Sequence, residues 1–185
     1  MKNLLFILPF ALVFPLRAQN FTLPEYEMKT ADDYSKYTQD VMKAMQWLID
    51  TPINKEYSDQ VRINRFVLQW LTGSPQVHLV VRPEILGNLS SERNFPYGPQ
   101  MTLIYLSGMG LKALDEPGAS ERELQLAGAE ALLTAYGHIK HEYKASHLRK
   151  LEKLKEKGKL EDWIAGIVPE ESIKQPADEG ESPIQ

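Results

Sequence analysis

Apolar residues recur at spacings of three and four along most of this chain, and that periodicity is typical of amphipathic helices. It predicts a first helix over 31–50 and a second over about 58–72. The two helices end alike, with a Gln-Trp-Leu triplet followed by Thr-Pro or Ser-Pro at the same offset, in 46–52 and 69–75. We interpret them as two matched helix ends, each anchoring an indole ring, and we expect Gly73 to adopt a left-handed conformation after the second.

The second half of the chain contains two longer patterns that predict closely packed helices. The segment 99–114 is apolar on almost every side, which is typical of a buried helix. The next helix begins with a capping-box pattern at Ser120 and Glu123, and we expect it to reach at least Tyr143. Small residues in both segments favour a close approach of the two helices. These residues are Gly108, Gly110, Ala127, Gly128, Ala131 and Ala135.

Two shorter helical patterns follow. A charged helix with a narrow leucine stripe is predicted over 146–157, and Gly158 is expected to end it. The segment 160–168 is amphipathic and short, and we expect it to pack back on the bundle.

The segment 76–83 has two possible interpretations. It contains three valines and ends in Pro83, which favours an extended segment that crosses the bundle. A helix remains the alternative, with Ser74 as its N-cap and Pro75 in its first turn. The glycines and prolines of 83–98 predict a short helical turn and a loop.

These patterns together predict an all-α protein, a compact bundle of four to five main helices with one extended crossing segment. We divide the chain into a signal peptide (1–18), an extended leader (19–30), a helical domain (31–168) and a disordered acidic tail (169–185). The tail is rich in Pro, Glu and Ser and has no aromatic residue, so it lacks the apolar surface that ordering requires.

The N-terminus has the three parts of a secretory signal peptide. Lys2 precedes an apolar run over 4–16, and small Ala18 follows. The run is shorter than the roughly 20 apolar residues that span a bilayer. We therefore expect cleavage near Ala18 or Gln19 and a periplasmic or secreted protein without a stable membrane anchor.

Composition narrows the class of function further. The chain has no cysteine, which excludes thiolate zinc sites and cysteine nucleophiles, and in an exported protein favours a bacterial origin. Its 21 Lys and Arg against 25 Asp and Glu give a formal net charge of −4, and loss of Lys2 and Arg17 with the signal peptide makes it −6. An acidic exported protein is a poor candidate for binding nucleic acid, so we expect no such partner.

The densest group of ligand-capable residues is His138, His141 and Glu142. On a continuous helix the first lies beside the other two, at spacings of three and four, and the three can contribute ligands to one divalent metal. The spacing matches neither H-E-x-x-H nor H-x-x-E-H, and the sequence indicates no fourth ligand. We therefore favour a polar helix face and predict no metal, cofactor or catalytic residue here.

A basic stretch begins after this group, and two acids, Glu152 and Glu156, interrupt it. The acids are spaced to pair with Lys155 and Lys159 along the helix surface, so a solvated face is the favoured interpretation. Contact with an anionic surface or partner is the alternative. The basic residues are Lys144, Arg149, Lys150, Lys153, Lys155, Lys157 and Lys159.

Three tryptophans, Trp47, Trp70 and Trp163, fit either the core or an aromatic binding groove. Aromatic residues at helical spacing more often belong to the core, which is the interpretation we favour.

The motifs at 46–52 and 68–75, with Gly-Lys-Leu-Glu-Asp-Trp at 158–163, resemble those of a group of small exported helical proteins from Bacteroidetes-type bacteria. That group has no assigned activity. The resemblance covers most of 31–168; it implies an exported helical protein and carries over no catalytic residue.

For function, the sequence favours a non-catalytic binding or interaction module for an unknown protein or small ligand. One alternative is a metal-dependent hydrolase that uses the His/Glu group on the long helix. The other is a periplasmic folding or stress factor with an acidic tail.

Overall fold

The chain folds into an all-α bundle in a computed structural model that describes residues 21–92 and 94–169. Those residues form eight α-helices, a 3₁₀ turn at Leu89–Ser91 and no β-strand. Five helices have 11 to 19 residues, which confirms the predicted fold class. The helices are α1 (Ala31–Lys36), α2 (Thr38–Asp50), α3 (Gln60–Gly73), α4 (Pro83–Leu86), α5 (Gly98–Asp115), α6 (Glu121–Ile139), α7 (Ser146–Glu156) and α8 (Leu160–Ile167).

The two predicted terminal segments fall almost entirely outside this part of the chain. The predicted signal peptide (1–18) and all of the predicted tail except Pro169 lie outside the described residues. Residues 21–29 of the leader contain no helix, but they pack on the bundle, since Leu23 and Met28 are buried.

The predicted helix over 31–50 is two helices, because the backbone breaks at Tyr37 (φ −102°, ψ 7°). The break allows the Tyr37 ring to pack edge-on against Tyr26 of the leader and Phe66 of α3, at centroid distances of 6.4 and 6.2 Å. Tertiary aromatic packing therefore interrupts a helix that the local sequence favours as continuous.

The two matched helix ends differ in how deeply their tryptophan side chains are buried. Trp70 is fully buried, and its indole N–H donates to the Tyr34 carbonyl at 2.9 Å. Trp47 is only half-buried and packs edge-on against Tyr57 at 5.3 Å. The prediction of two equivalent indole anchors is therefore right for Trp70 alone.

Gly73 does not have the left-handed conformation predicted for it. It is the last residue of α3, and the described glycines with positive φ are Gly87 and Gly158. A Cβ atom at Gly73 would overlap the Tyr34 ring, so the glycine makes room for that side chain.

The central helix α5 lies against α6 on one side and against α2 and α3 on the other. A Cβ at Gly108 would lie 2.6 Å from the Ala127 carbonyl oxygen, and one at Gly128 would lie 2.6 Å from Cδ2 of Tyr105. These two glycines confirm the close approach of α5 and α6. Gly110 faces Met45 and Leu71, so it serves the contact with α2 and α3 instead.

Helix α6 ends at Ile139, four residues short of the predicted minimum at Tyr143. The Ile139 carbonyl accepts the main-chain N–H groups of Glu142 and Tyr143 at 3.0 and 2.9 Å, which closes a turn. The turn brings the Tyr143 ring edge-on to Tyr97 at 5.0 Å. Beyond α7, Gly158 (φ +64°) ends the helix as predicted.

The last helix and the crossing segment both follow the prediction. Helix α8 packs on α6 and α7, with Leu160 and Ile164 buried. Residues 77–82 form no helix or turn, so the helical alternative is wrong, and Arg82 has the extended dihedrals φ −103° and ψ 108°. Helix α4 and the 3₁₀ turn supply the helical turns expected in 83–98.

The close approach of α5 and α6 predicts opposite effects for two helical glycines. Gly108→Ala should lower the free energy of unfolding by about 1–3 kcal/mol, because the added methyl group overlaps a backbone carbonyl. Gly137→Ala should raise it by about 1 kcal/mol, because this exposed α6 position has open space and alanine favours a helix. Urea unfolding of both variants checks this; a stabilising Gly108→Ala would contradict the packing described.

Candidate functional site

The candidate metal ligands considered for the alternative function do not lie together. His138 lies in the last turn of α6, whereas His141 and Glu142 lie in the turn after it, so the three do not share a helix face. Glu142 Oε2 accepts a hydrogen bond from Asn54 Nδ2 at 3.0 Å. Within residues 21–92 and 94–169, no three His, Asp or Glu side chains are arranged to hold a metal ion. The geometry gives the metal-dependent hydrolase no support.

The three tryptophans do not form a common groove. Trp70 is in the core and Trp47 packs on Tyr57, as described above. Trp163 on α8 is half-buried, and the Lys150 ammonium of α7 lies 4.8 Å from its ring centroid. That distance is within the range of a cation–π interaction.

A buried polar cluster, which the sequence analysis missed, joins the crossing segment to the two central helices. The Tyr105 hydroxyl of α5 donates to Gln125 Oε1 of α6, and Gln125 Nε2 donates to the Val80 carbonyl at 2.6 Å. Arg82 and Glu121 form an ion pair at 2.6 Å, with Glu121 only 6% exposed. We refer to these four side chains, Tyr105, Gln125, Arg82 and Glu121, as the polar cluster.

The polar cluster holds Val80 and Arg82 against α6. Burial raises the pKa of Tyr105 above its ordinary value, and a main-chain hydrogen bond from Arg82 opposes part of that shift. The hydroxyl is therefore neutral at physiological pH and acts as a hydrogen-bond donor. A glutamine and a tyrosine at core positions of two otherwise apolar helices are the sequence signal for such a cluster, since buried polar groups need partners.

The ion pairs of Glu152 and Lys155, in the basic stretch, lie on the side of α7 that faces α6. Glu152 pairs with Lys140 at 2.5 Å, and Lys155 pairs with Glu130 at 3.0 Å, so both bond across to the α6 side. The predicted Glu152–Lys155 pair is wrong for this reason. The predicted Glu156–Lys159 pair does not form either, because α7 ends at Glu156 and Gly158 turns the chain between the two residues. The Glu152 carboxylate also raises the pKa of Lys140 above its ordinary value.

The opposite side of α7 is a row of cations, Arg149, Lys150, Lys153 and Lys157, which we call the basic face. None of the four makes an ion pair with a residue in the part of the chain that the structure describes. With Ser146 and Leu154 they line an open groove of about 410 Å³. Because exposed side chains of one sign raise the local concentration of counter-ions, this face can attract an anionic partner.

Comparison with known protein families, curated proteins and solved structures finds no match for this chain. Among the described helices, none combines the length and the apolar character that crossing a membrane requires.

The polar cluster predicts a stability cost for Tyr105→Phe. The variant leaves Gln125 Oε1 buried without its donor, which should cost about 1–3 kcal/mol at neutral pH. Tyr57→Phe is the matched control, because the Tyr57 hydroxyl makes no hydrogen bond with a described residue, and it should stay within about 0.5 kcal/mol.

The raised pKa of Tyr105 also predicts a pH dependence. A group whose pKa is raised by folding stabilises the protein below its unfolded pKa, near 10, and loses that contribution as pH rises above it. Unfolding free energies measured between about pH 8 and pH 11 should fall less steeply in Tyr105→Phe than in the wild type. Equal slopes would show that this tyrosine does not titrate with unfolding.

Proposed function

We propose that this chain is an exported, non-catalytic binding protein whose basic face holds an acidic segment of a partner protein. The observation that carries the proposal is the sorting of charge on α7: Glu152 and Lys155 are paired with α6, while the four cations of the basic face have no carboxylate partner among the described residues. If α7 only faced solvent, its unpaired cations would not need to lie together on one side.

The spacing of the cations fits an extended ligand. Arg149 and Lys157 are eight residues apart, so the row is about 12 Å long at the helical rise of 1.5 Å per residue. A single phosphate or carboxylate contacts only part of such a row. Lys150 is held over Trp163, which reduces the freedom that this side chain loses on binding.

An acidic protein segment fits better than a membrane surface. Helices that bind at a membrane surface combine basic residues with large exposed apolar side chains. The exposed large apolar residues of the described chain are Val61, Leu68 and Val81, none of which belongs to α7 or α8.

Export remains part of the proposal and is supported by the N-terminal residues 1–18, by the absence of cysteine and by the resemblance to small exported helical proteins.

A binding titration with charge-reversal variants tests the basic face. The probe is a fluorescent ten-residue peptide with five glutamates, and its glutamine counterpart is the ligand control. Lys153→Glu combined with Lys157→Glu should weaken binding about tenfold or more, equivalent to about 1.4 kcal/mol. Lys55→Glu combined with Arg65→Glu makes the same change in net charge at exposed positions outside α7 and should leave the affinity within about twofold.

Added salt should weaken the wild-type complex, because the contacts are between exposed charges. Equal losses in the two double variants would show that net charge alone is responsible and would remove the basic face as the site. Tighter binding to vesicles of anionic lipid than to the glutamate peptide would replace the protein partner with a membrane surface.

A further inference from the structure

The residues that follow α8 carry the charge that complements the basic face. Residues 170–185 contain five carboxylate side chains and one lysine, Lys174, so their formal net charge is −4. The four cations of the basic face make no ion pair within residues 21–92 and 94–169. Two oppositely charged parts of one chain attract each other when they come within about 8 Å at physiological salt. The carboxylates are Glu170, Glu171, Asp178, Glu179 and Glu181.

Helix α8 ends beside the basic face. The Lys150 ammonium lies 4.8 Å from the Trp163 ring centroid, and Val168 follows Trp163 by only about 7.5 Å of helical rise. Val168 is buried, and its carbonyl accepts a hydrogen bond from Arg122 of α6 at 3.2 Å. The acidic residues therefore begin at a fixed point close to the cations.

The chain after Val168 is long enough to reach the whole face. Followed back along α8 and the turn before it, Val168 is at most about 21 Å from Lys157, and the row from Lys157 to Arg149 adds about 12 Å. No cation of the row is therefore attached more than about 33 Å from Val168. Asp178, ten residues further on, can lie up to about 33–36 Å away, and Glu181 can reach further still.

The second acidic group also matches the row in length. Asp178, Glu179 and Glu181 span about 10 Å when extended, which is close to the row's length of about 12 Å. Glu170 and Glu171 follow Val168 too closely to extend along the row. The group 178–181 is therefore the better complement.

We propose that Asp178, Glu179 and Glu181 of this chain bind its own basic face when no partner is present. The proposal rests on the proposed function, because it assigns the regulation of that same face: an acidic partner segment binds only by displacing the tail. A segment tethered to its own site by a short linker has an effective concentration of about a millimolar. A weak contact is therefore enough to occupy the face, and the tail of a second copy competes only at a comparable concentration.

A spin label tests the contact, because the chain has no cysteine and Ser182→Cys supplies a single attachment site beside Glu181. In the full chain, the nitroxide should broaden the amide NMR signals of residues 146–157 more than those of α3. Added salt should reduce the broadening, since the contact is between charged side chains. The control is a mixture of spin-labelled chain and isotope-labelled chain without the nitroxide, which should show no broadening.

Charge variants separate binding from mere attachment near α7. Lys153→Glu combined with Lys157→Glu should remove most of the broadening, because the tail then meets like charge. Lys55→Glu combined with Arg65→Glu makes the same change in net charge at exposed positions outside α7 and should preserve it.

Neutralising the tail tests the competition. The variant Asp178→Asn, Glu179→Gln, Glu181→Gln keeps the length of the tail and should bind the glutamate peptide about threefold or more tightly than the wild type, because no tethered competitor remains. The matched control removes three exposed carboxylates outside α7 and the tail and should stay within about 1.5-fold of the wild type. Its substitutions are Asp32→Asn, Glu56→Gln and Asp115→Asn.

Three outcomes would overturn the proposal: broadening that persists when the face is charge-reversed, no broadening of α7, or equal affinities of the two neutralised variants. Broadening in the mixed sample would also overturn it, by assigning the face to the tail of a second copy. Failure of the proposed function is distinguishable, because it is the absence of peptide binding even in the neutral-tail variant. The spin label reports on the tail without any peptide.

Discussion

The close approach of α5 and α6 is the constraint on which the rest of this structure depends. Gly108 and Gly128 remove the side-chain layer between the two helices, so that backbone meets backbone at one and the Tyr105 ring meets backbone at the other. Interior packing this dense tolerates little added volume. Helix α5 then offers its remaining sides to α2 and α3, and α6 offers its own to α7 and α8.

The same approach places polar side chains where apolar ones would ordinarily pack. Because Tyr105 and Gln125 come from facing helices at close range, they bond to each other and then to the crossing segment. The hydrogen bonds from Tyr105 to Gln125 and from Gln125 to the Val80 carbonyl favour one arrangement, since a buried polar group that loses its partner is costly. The result is a segment without helical or sheet bonding that is nevertheless held in one conformation by α5 and α6.

The sequence predicted the helices and the all-α fold class because the spacing of apolar residues follows the buried face of each helix. It predicted the capping box at Ser120, the end of α7 at Gly158 and the contact at Gly108 and Gly128, which are local or depend on residue size. It failed where tertiary contacts override local preference, as at Tyr37, where an aromatic cluster breaks the helix. The separation of His138 from His141 has the same origin, since α6 ends where Tyr143 packs on Tyr97.

The sequence indicated the basic stretch, but it did not indicate which of its side chains make ion pairs and which do not. That depends on cross-helix partners such as Glu130 and Lys140, which no spacing along α7 reveals. The crossing segment was predicted from its valines and proline, whereas its attachment to α6 depends on Gln125, 45 residues away.

Native-state amide hydrogen exchange tests the central claim that α5 and α6 hold residues 80–82 through side chains and leave the main-chain N–H groups of 77–81 unpaired. The account predicts that the Leu79 and Val81 amides of the unliganded chain exchange with little protection, while amides in the centre of α5 exchange only on global unfolding. Protection of Leu79 and Val81 comparable to that of α5 would contradict the account, because it would show that these amides are bonded within the chain.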